Sequence, residues 1–238
     1  MKPLIIMTSA LNTKFGAHTN EQRLQQTLDS IASVRQHAPT AKLAIVEMGG
    51  IPPTQEQIDI LQSKVDYYFN YSNDDAVQDI FKSTDTNWDL VKNTTEVMVF
   101  SNLLKQLTED GTIAQFDRIF KMSGRYQLTE NFKLEMYDDV ADRIVVLRRK
   151  HSQFPIEVTG GIQFQFMSRL WSWPATITNK IIDAYDNGFV SMAQRLADDG
   201  YFDIEHMLFK YLPQNLITEV VYVGLRGLLG PNGVKIED

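Results

Sequence analysis

Phe116-Asp117-Arg118-Ile119-Phe120-Lys121-Met122-Ser123-Gly124-Arg125-Tyr126 is the stretch whose reading decides the fold. Its apolar residues, Phe116, Ile119, Phe120 and Met122, read as a short buried strand, and Ser123-Gly124 reads as the exit turn. A strand that stops at a glycine and then presents Arg125 and Tyr126 sets polar groups at the mouth of a sheet, the edge where open α/β sheets bind ligands. Lys121 alternates with Phe120 and Met122, so its ammonium lies at the sheet end or has a buried partner. Arg125 offers a planar fork matched to phosphate oxygens; the competing expectation is a structural salt bridge to one of the chain's acids.

Toward the N-terminus, the apolar residues 3–7 and the polar loop Thr8-Ser9-Ala10-Leu11-Asn12-Thr13 read as a first buried strand and its exit. Asn20 is the expected cap of a helix whose stripe is Leu24, Leu28, Ile31 and Val34. Residues 42–48 form a second strand closing at Gly49-Gly50, and a right-handed crossover makes the two strands parallel neighbours. Thr54 opens another helix, and residues 66–71 give a third, aromatic strand. The polar residues 73–89 read as a mobile flap. A long helix is expected over 89–107, with Lys92, Asn93 and Glu96 sharing a face near its start that reads on its own as a solvated face.

In the second half, Asp138, Asp139 and Asp142 form an acid cluster that reads as solvated surface before metal ligands. A strand, Ile144-Val145-Val146-Leu147, runs into the basic Arg148-Arg149-Lys150-His151, and residues 158–166 alternate like a half-buried strand led by Gly160-Gly161. Leu170-Trp171-Ser172-Trp173-Pro174 reads as an aromatic turn. A helix over 178–197 should break near Asn187-Gly188, and Asp203 should cap a helix bearing Glu205 and His206. A last strand over 220–223 leads into a glycine-rich tail over 224–233 that contains Arg226.

Composition narrows the function. The 238 residues can bury a full core without staples, and the absence of cysteine excludes disulfides, thiolate metal sites and cysteine nucleophiles. A net charge of −7 argues against nucleic acid as a partner. The apolar run at residues 4–7 is too short for a signal segment or a membrane span, so a soluble, cytoplasmic protein is expected.

Taken in order, these pieces resemble a glycosyltransferase of the A-type (GT-A) fold. The resemblance rests on Arg23, Thr27, Ser30-Ile31 and Pro39 ahead of Ile45-Val46-Glu47, on the strand end Lys121-Met122-Ser123-Gly124-Arg125-Tyr126, on Gly160-Gly161 and on Ile204-Glu205-His206 with Leu208-Phe209. It implies one GT-A-like, Rossmann-like α/β domain with a mixed, mostly parallel sheet flanked by helices. Residues 1–126 would be the nucleotide-sugar half and 127–238 the acceptor half. By the same resemblance, Thr8, Ser9, Ala10 and Glu47 grip base and ribose, and Asn93 flanks the donor. Lys121, Ser123, Gly124 and Arg125 meet the diphosphate, and Gly160 and Gly161 face the transferred sugar. The glycine-rich tail, on its own residues, is expected to order over a bound diphosphate with Arg226 touching phosphate. Glu205 would be the general base of an inverting reaction, and His206 its partner or a metal ligand.

The family holds Mn²⁺ or Mg²⁺ on an Asp-x-Asp that this strand end lacks, so Arg125 or Lys121 is expected to supply part of that charge compensation. The activity implied is transfer of a sugar from a UDP-linked donor to a hydroxyl acceptor, a glycan or a small molecule. Two alternatives stand beside it. A nucleotidyltransferase would need a glycine-rich Lys/Arg loop after the first strand, and the sequence has none. A non-catalytic nucleotide- or carbohydrate-binding module is compatible with the missing Asp-x-Asp.

Overall fold

The computed structural model describes residues 1–14, 18–83, 88–228 and 234–238. In chain order the elements are β1 (Pro3–Ser9), α1 (Asn20–His37), β2 (Lys42–Glu47), α2 (Gln55–Gln62), β3 (Tyr67–Asn70), α3 (Asp75–Ser83) and α4 (Trp88–Glu109). There follow β4 (Arg118–Ser123), β5 (Tyr126–Leu128), β6 (Ile144–Leu147), β7 (Lys150–His151), β8 (Phe164–Gln165) and β9 (Leu170–Pro174). The chain ends with α5 (Thr178–Ala197), α6 (Ile204–Tyr211), β10 (Ile217–Val220), β11 (Leu225–Leu228) and β12 (Lys235–Glu237).

Seven strands make the central sheet in the order β10-β6-β9-β4-β1-β2-β3. All run parallel except β9, which is antiparallel to both β4 and β6. Strand alternation then divides the interior in two. Leu4, Ile6 and Ile119 turn to the face covered by α4, α5 and α6, while Ile5, Met7, Phe120 and Met122 turn to the face covered by α1. Lys121 lies opposite Ile6 in the register, so its side chain enters the α4 face. From β1 the chain goes first to β2 and β3 on one side and then to β4 on the other. The carboxyl ends of β2, β1 and β4 thus flank a topological switch point, where α/β sheets leave a crevice.

Several elements depart from the sequence expectations, each for a local reason. The residues expected as an aromatic turn form β9, whose Trp171 and Trp173 are buried between β4 and α5; Pro174 is tolerated because it ends the strand. Helix α5 runs unbroken through Asn187-Gly188, because Gly188 leaves room for Met207 of α6; a Cβ there would stand 2.1 Å from Met207 Cγ. The cap of α1 is Thr19 rather than Asn20, in a reciprocal capping box with Gln22. Part of the expected flap is α3, while residues 84–87 lie outside the described residues. Of the alternating stretch 158–166 only β8 is strand, and the expected last strand is replaced by β10 and by an antiparallel sheet of β12, β11 and β5. Residues 229–233 of the glycine-rich tail lie outside the described residues.

Candidate active site

A cavity of about 400 Å³ opens at the switch point. Its floor is the end of β1 and the loop after it (Thr8, Ser9, Ala10, Asn12), the loop after β2 (Met48, Gly49, Gly50) and the end of β4 with its turn (Ser123, Gly124, Arg125). Its walls come from Arg23 of α1, from Val77 and Phe81 of α3, and from Val91, Lys92, Thr95 and Glu96 of α4. The floor is compact because strand ends meet backbone to backbone. Gly124 N–H donates to the Thr8 carbonyl at 2.8 Å, and a Cβ on Gly124 would fall 2.9 Å from that oxygen. Helix α1 joins the same knot, with Thr27 Oγ1 donating to the Gly124 carbonyl at 3.3 Å.

The structure sorts the expected residues. Thr8, Ser9, Ala10, Ser123, Gly124 and Arg125 line the cavity together. Glu47 stands behind it, fully buried, and its carboxylate accepts from Leu11 N–H (3.1 Å) and Gly49 N–H (3.0 Å), so it pins the two floor loops to each other. Burial lifts the Glu47 carboxyl above its ordinary range, against the pull of Ser9 and these amides. Asn93 is buried on α4 and does not line the cavity; its neighbours Lys92 and Glu96, one turn apart on one helix face, do.

Lys121 is fully buried, and its ammonium spends its three protons inside the protein. They go to Glu96 Oε1 at 2.6 Å, Ser123 Oγ at 2.9 Å and the Ser168 carbonyl at 2.9 Å. Burial works to raise the Glu96 carboxyl, but Lys121, with Lys92 and Arg125, outweighs it and holds the group below its ordinary value. Thr8 Oγ1 donates to the same carboxylate at 3.3 Å. Of the two cations expected at the strand end, therefore, Lys121 is committed to an internal pair. Arg125 remains in the cavity, and its Nε is buried without a hydrogen-bond partner among the described residues.

Glu205 is joined to this network one residue back. Ser168, whose carbonyl binds Lys121, donates from its hydroxyl to Glu205 Oε1 at 2.6 Å. Burial, reinforced by Asp203, lifts the Glu205 carboxyl above its ordinary value against the pull of Lys92 and Ser168. Glu96 and Glu205 thus divide into a firmly ionised acid at the cavity wall and a more basic carboxylate behind it, reached through Lys121 and Ser168.

Four expected residues lie elsewhere. Gly160 and Gly161 sit on an exposed turn, Gly160 packing against Arg195. Arg226 is exposed on β11, where it donates to Gln127 Oε1. His206 is fully buried with both ring nitrogens engaged: Nδ1 lies 2.6 Å from Asp203 Oδ1 and Nε2 lies 2.8 Å from Ser152 Oγ. These partners leave His206 no lone pair for a metal. More broadly, no three His, Cys, Asp or Glu side chains among the described residues group to hold an ion. The strand end carries Ser123 and Arg125 in place of carboxylates, and the adjacent acid, Glu96, is taken by Lys121. This donor set does not fit a divalent cation.

Arg23 is the cavity residue of consequence that the sequence-based site lacks; of the face formed by Lys92, Asn93 and Glu96, the cavity takes the two charged members. A signal for Arg23 exists: Arg23, Thr27 and Ser30 make a buried polar stripe on α1 beside Ile31 and Val34. A polar stripe of that kind marks a helix packed on a polar loop.

No family model matches the sequence, and no curated protein is similar to it in sequence. Among solved structures, mouse xyloside xylosyltransferase 1 in its apo form aligns with a TM-score of 0.52 over 92% of this chain and 84% of that one, at 11% identity. Core-mannan synthase A from Aspergillus fumigatus, in a Mn/GDP form, aligns with a TM-score of 0.49 over 92% of this chain and 72% of that one, at 8% identity. The likeness is one of fold, and the fold is that of the A-type glycosyltransferases. Among the described residues, no helix is long and apolar enough to cross a membrane.

Proposed function

We propose that the protein transfers a sugar from a nucleotide-sugar donor, with UDP as the expected nucleotide, to a hydroxyl acceptor. The observation that carries this reading is the cavity at the switch point of a glycosyltransferase fold, in which an acidic chain has gathered Arg23, Lys92 and Arg125. Transfer makes two chemical demands. The bond from the sugar's anomeric carbon to the diphosphate breaks with its electron pair leaving on phosphate, and the acceptor hydroxyl must give up a proton. Fixed cations serve the first demand by stabilising charge where it develops. Glu205 is the base proposed for the second: it joins the cavity wall through Ser168 and Lys121, and its carboxyl, lifted above the ordinary range, accepts a proton more readily than the ion-paired Glu96. A single attack by the deprotonated acceptor inverts the anomeric centre.

A panel of UDP-, GDP- and CMP-sugars tests the reading through thermal stabilisation and release of free nucleotide. Stabilisation and slow release with one donor support transfer. Stabilisation without turnover, with or without added acceptor sugars, supports the binding-module alternative, which the position of Glu205 outside the cavity lining keeps in view. Analysis of product configuration tests Glu205, since a retained configuration removes it as the base.

A further inference from the structure

Among the described residues, the cavity lining carries more basic than acidic side chains. That lining among the described residues includes three cations, Arg23, Lys92 and Arg125, and one acid, Glu96, already paired with Lys121 at 2.6 Å. In a chain of net charge −7 this is a local reversal of sign. Cations gathered in this way repel one another in a medium poorer than water at screening them, and an anionic ligand relieves that repulsion. Arg23 bears the cost visibly: it is buried, and burial first, then the neighbouring Arg125, bring its guanidinium down to about 10, with Glu47 only partly opposing. Arg23 comes from the helix that Thr27 ties to Gly124, and Arg125 comes from the turn at Gly124 itself. The two forks are thus fixed to one piece of backbone at the end of β4.

Resting on the transferase reading, we propose that Arg23 and Arg125 form a two-arginine clamp for the donor's diphosphate, with Lys92 at its edge, and that nucleotide binding therefore requires no divalent cation. A planar guanidinium can meet two phosphate oxygens at once, so two of them cover the charge that a metal would otherwise bridge. Lys121 has no part in the clamp; it neutralises Glu96, which would otherwise cancel one of the clamp's charges.

Isothermal titration of the full chain with inorganic pyrophosphate, UDP, GDP and CDP, first in EDTA and then in Mn²⁺, tests the clamp. The expected result is binding of pyrophosphate and at least one nucleoside diphosphate in EDTA, with affinity changed less than about threefold by Mn²⁺. Arg23→Gln and Arg125→Gln should each weaken that binding about tenfold or more, in line with the loss of a charge-assisted contact. Arg125 is half-exposed, so Arg125→Gln should fold even if Arg23→Gln does not, and melting curves of the free proteins report folding. Binding that appears only with Mn²⁺ overturns the clamp and leaves the transfer reading standing. Binding in EDTA that neither substitution weakens also overturns it. Metal-free binding lost in both variants, with no donor sugar turned over, keeps the clamp and removes the transfer reading.

Discussion

The two halves of the molecule treat their polar residues differently. In the first half, residues far apart in sequence converge: Thr8, Gly49 and Arg125 stand at the carboxyl ends of three different strands and face one cavity. In the second half, neighbours in sequence diverge: Glu205 turns toward Ser168 and the cavity network, while the adjacent His206 is locked between Asp203 and Ser152. Parallel strands deliver their carboxyl ends to one edge, so convergence there follows from topology. A helix delivers consecutive residues to directions about 100° apart, so neighbours on α6 share an element without sharing a site.

The comparison can be broken most sharply at Glu205. Replacing Glu205→Gln should lower kcat by about 10²- to 10⁴-fold, the usual worth of a general base, while leaving donor affinity in place. The same substitution should raise stability at neutral pH. A carboxyl whose folded-state pKa is raised favours the fold while protonated, and that contribution is lost as pH rises from its unfolded value through the raised folded one. The stability gap between wild type and the glutamine variant should therefore open with rising pH and vanish in acid, as urea titrations at several pH values will show. The acid limb of the kcat/KM profile should also disappear in the variant.

Next in size is the Lys121–Glu96 ion pair, which the Ser168 carbonyl ties to the second half. Lys121→Met removes the ion-pair partner of the mostly buried Glu96 carboxylate and should cost about 3–5 kcal/mol in chemical denaturation. Adding Glu96→Gln to it should recover much of that loss; a double variant no better than the single would show that Lys121 matters through its contacts to Ser123 and Ser168 instead. Smaller still is Gly188→Ala. On helix propensity alone it should stabilise by about 1 kcal/mol, but contact with Met207 should turn this into a loss of about 1–3 kcal/mol in thermal unfolding. Smallest is Thr19→Ala, expected to cost about 1 kcal/mol through the lost cap of α1.

The legibility of the sequence follows the same division. The run of residues 116–126 and the polar residues after the first strand revealed both the sheet and half the cavity, because a buried strand ending in Gly is a local signal that topology then amplifies. Trp171 and Trp173 misled, since a short apolar run before Pro174 reads equally as turn or strand until its two neighbours, β4 and β6, are known. Lys92 and Glu96 were visible as a helix face, but which residue of that face meets the ligand depends on the rotation of α4 about its axis, which distant packing on α5 sets. Gly160-Gly161 looked like a ligand approach and is an exposed turn, because glycine signals an unusual backbone without saying what lies beside it.

The claim on which the account stands is that a nucleotide occupies the cavity between β1, β2 and β4 with its phosphates on Arg23 and Arg125. A crystal structure of the protein with its best-binding nucleoside diphosphate, grown in EDTA, addresses it directly. The account predicts density for the diphosphate between the two guanidiniums. Density elsewhere on the protein, with this cavity occupied only by solvent, would contradict it.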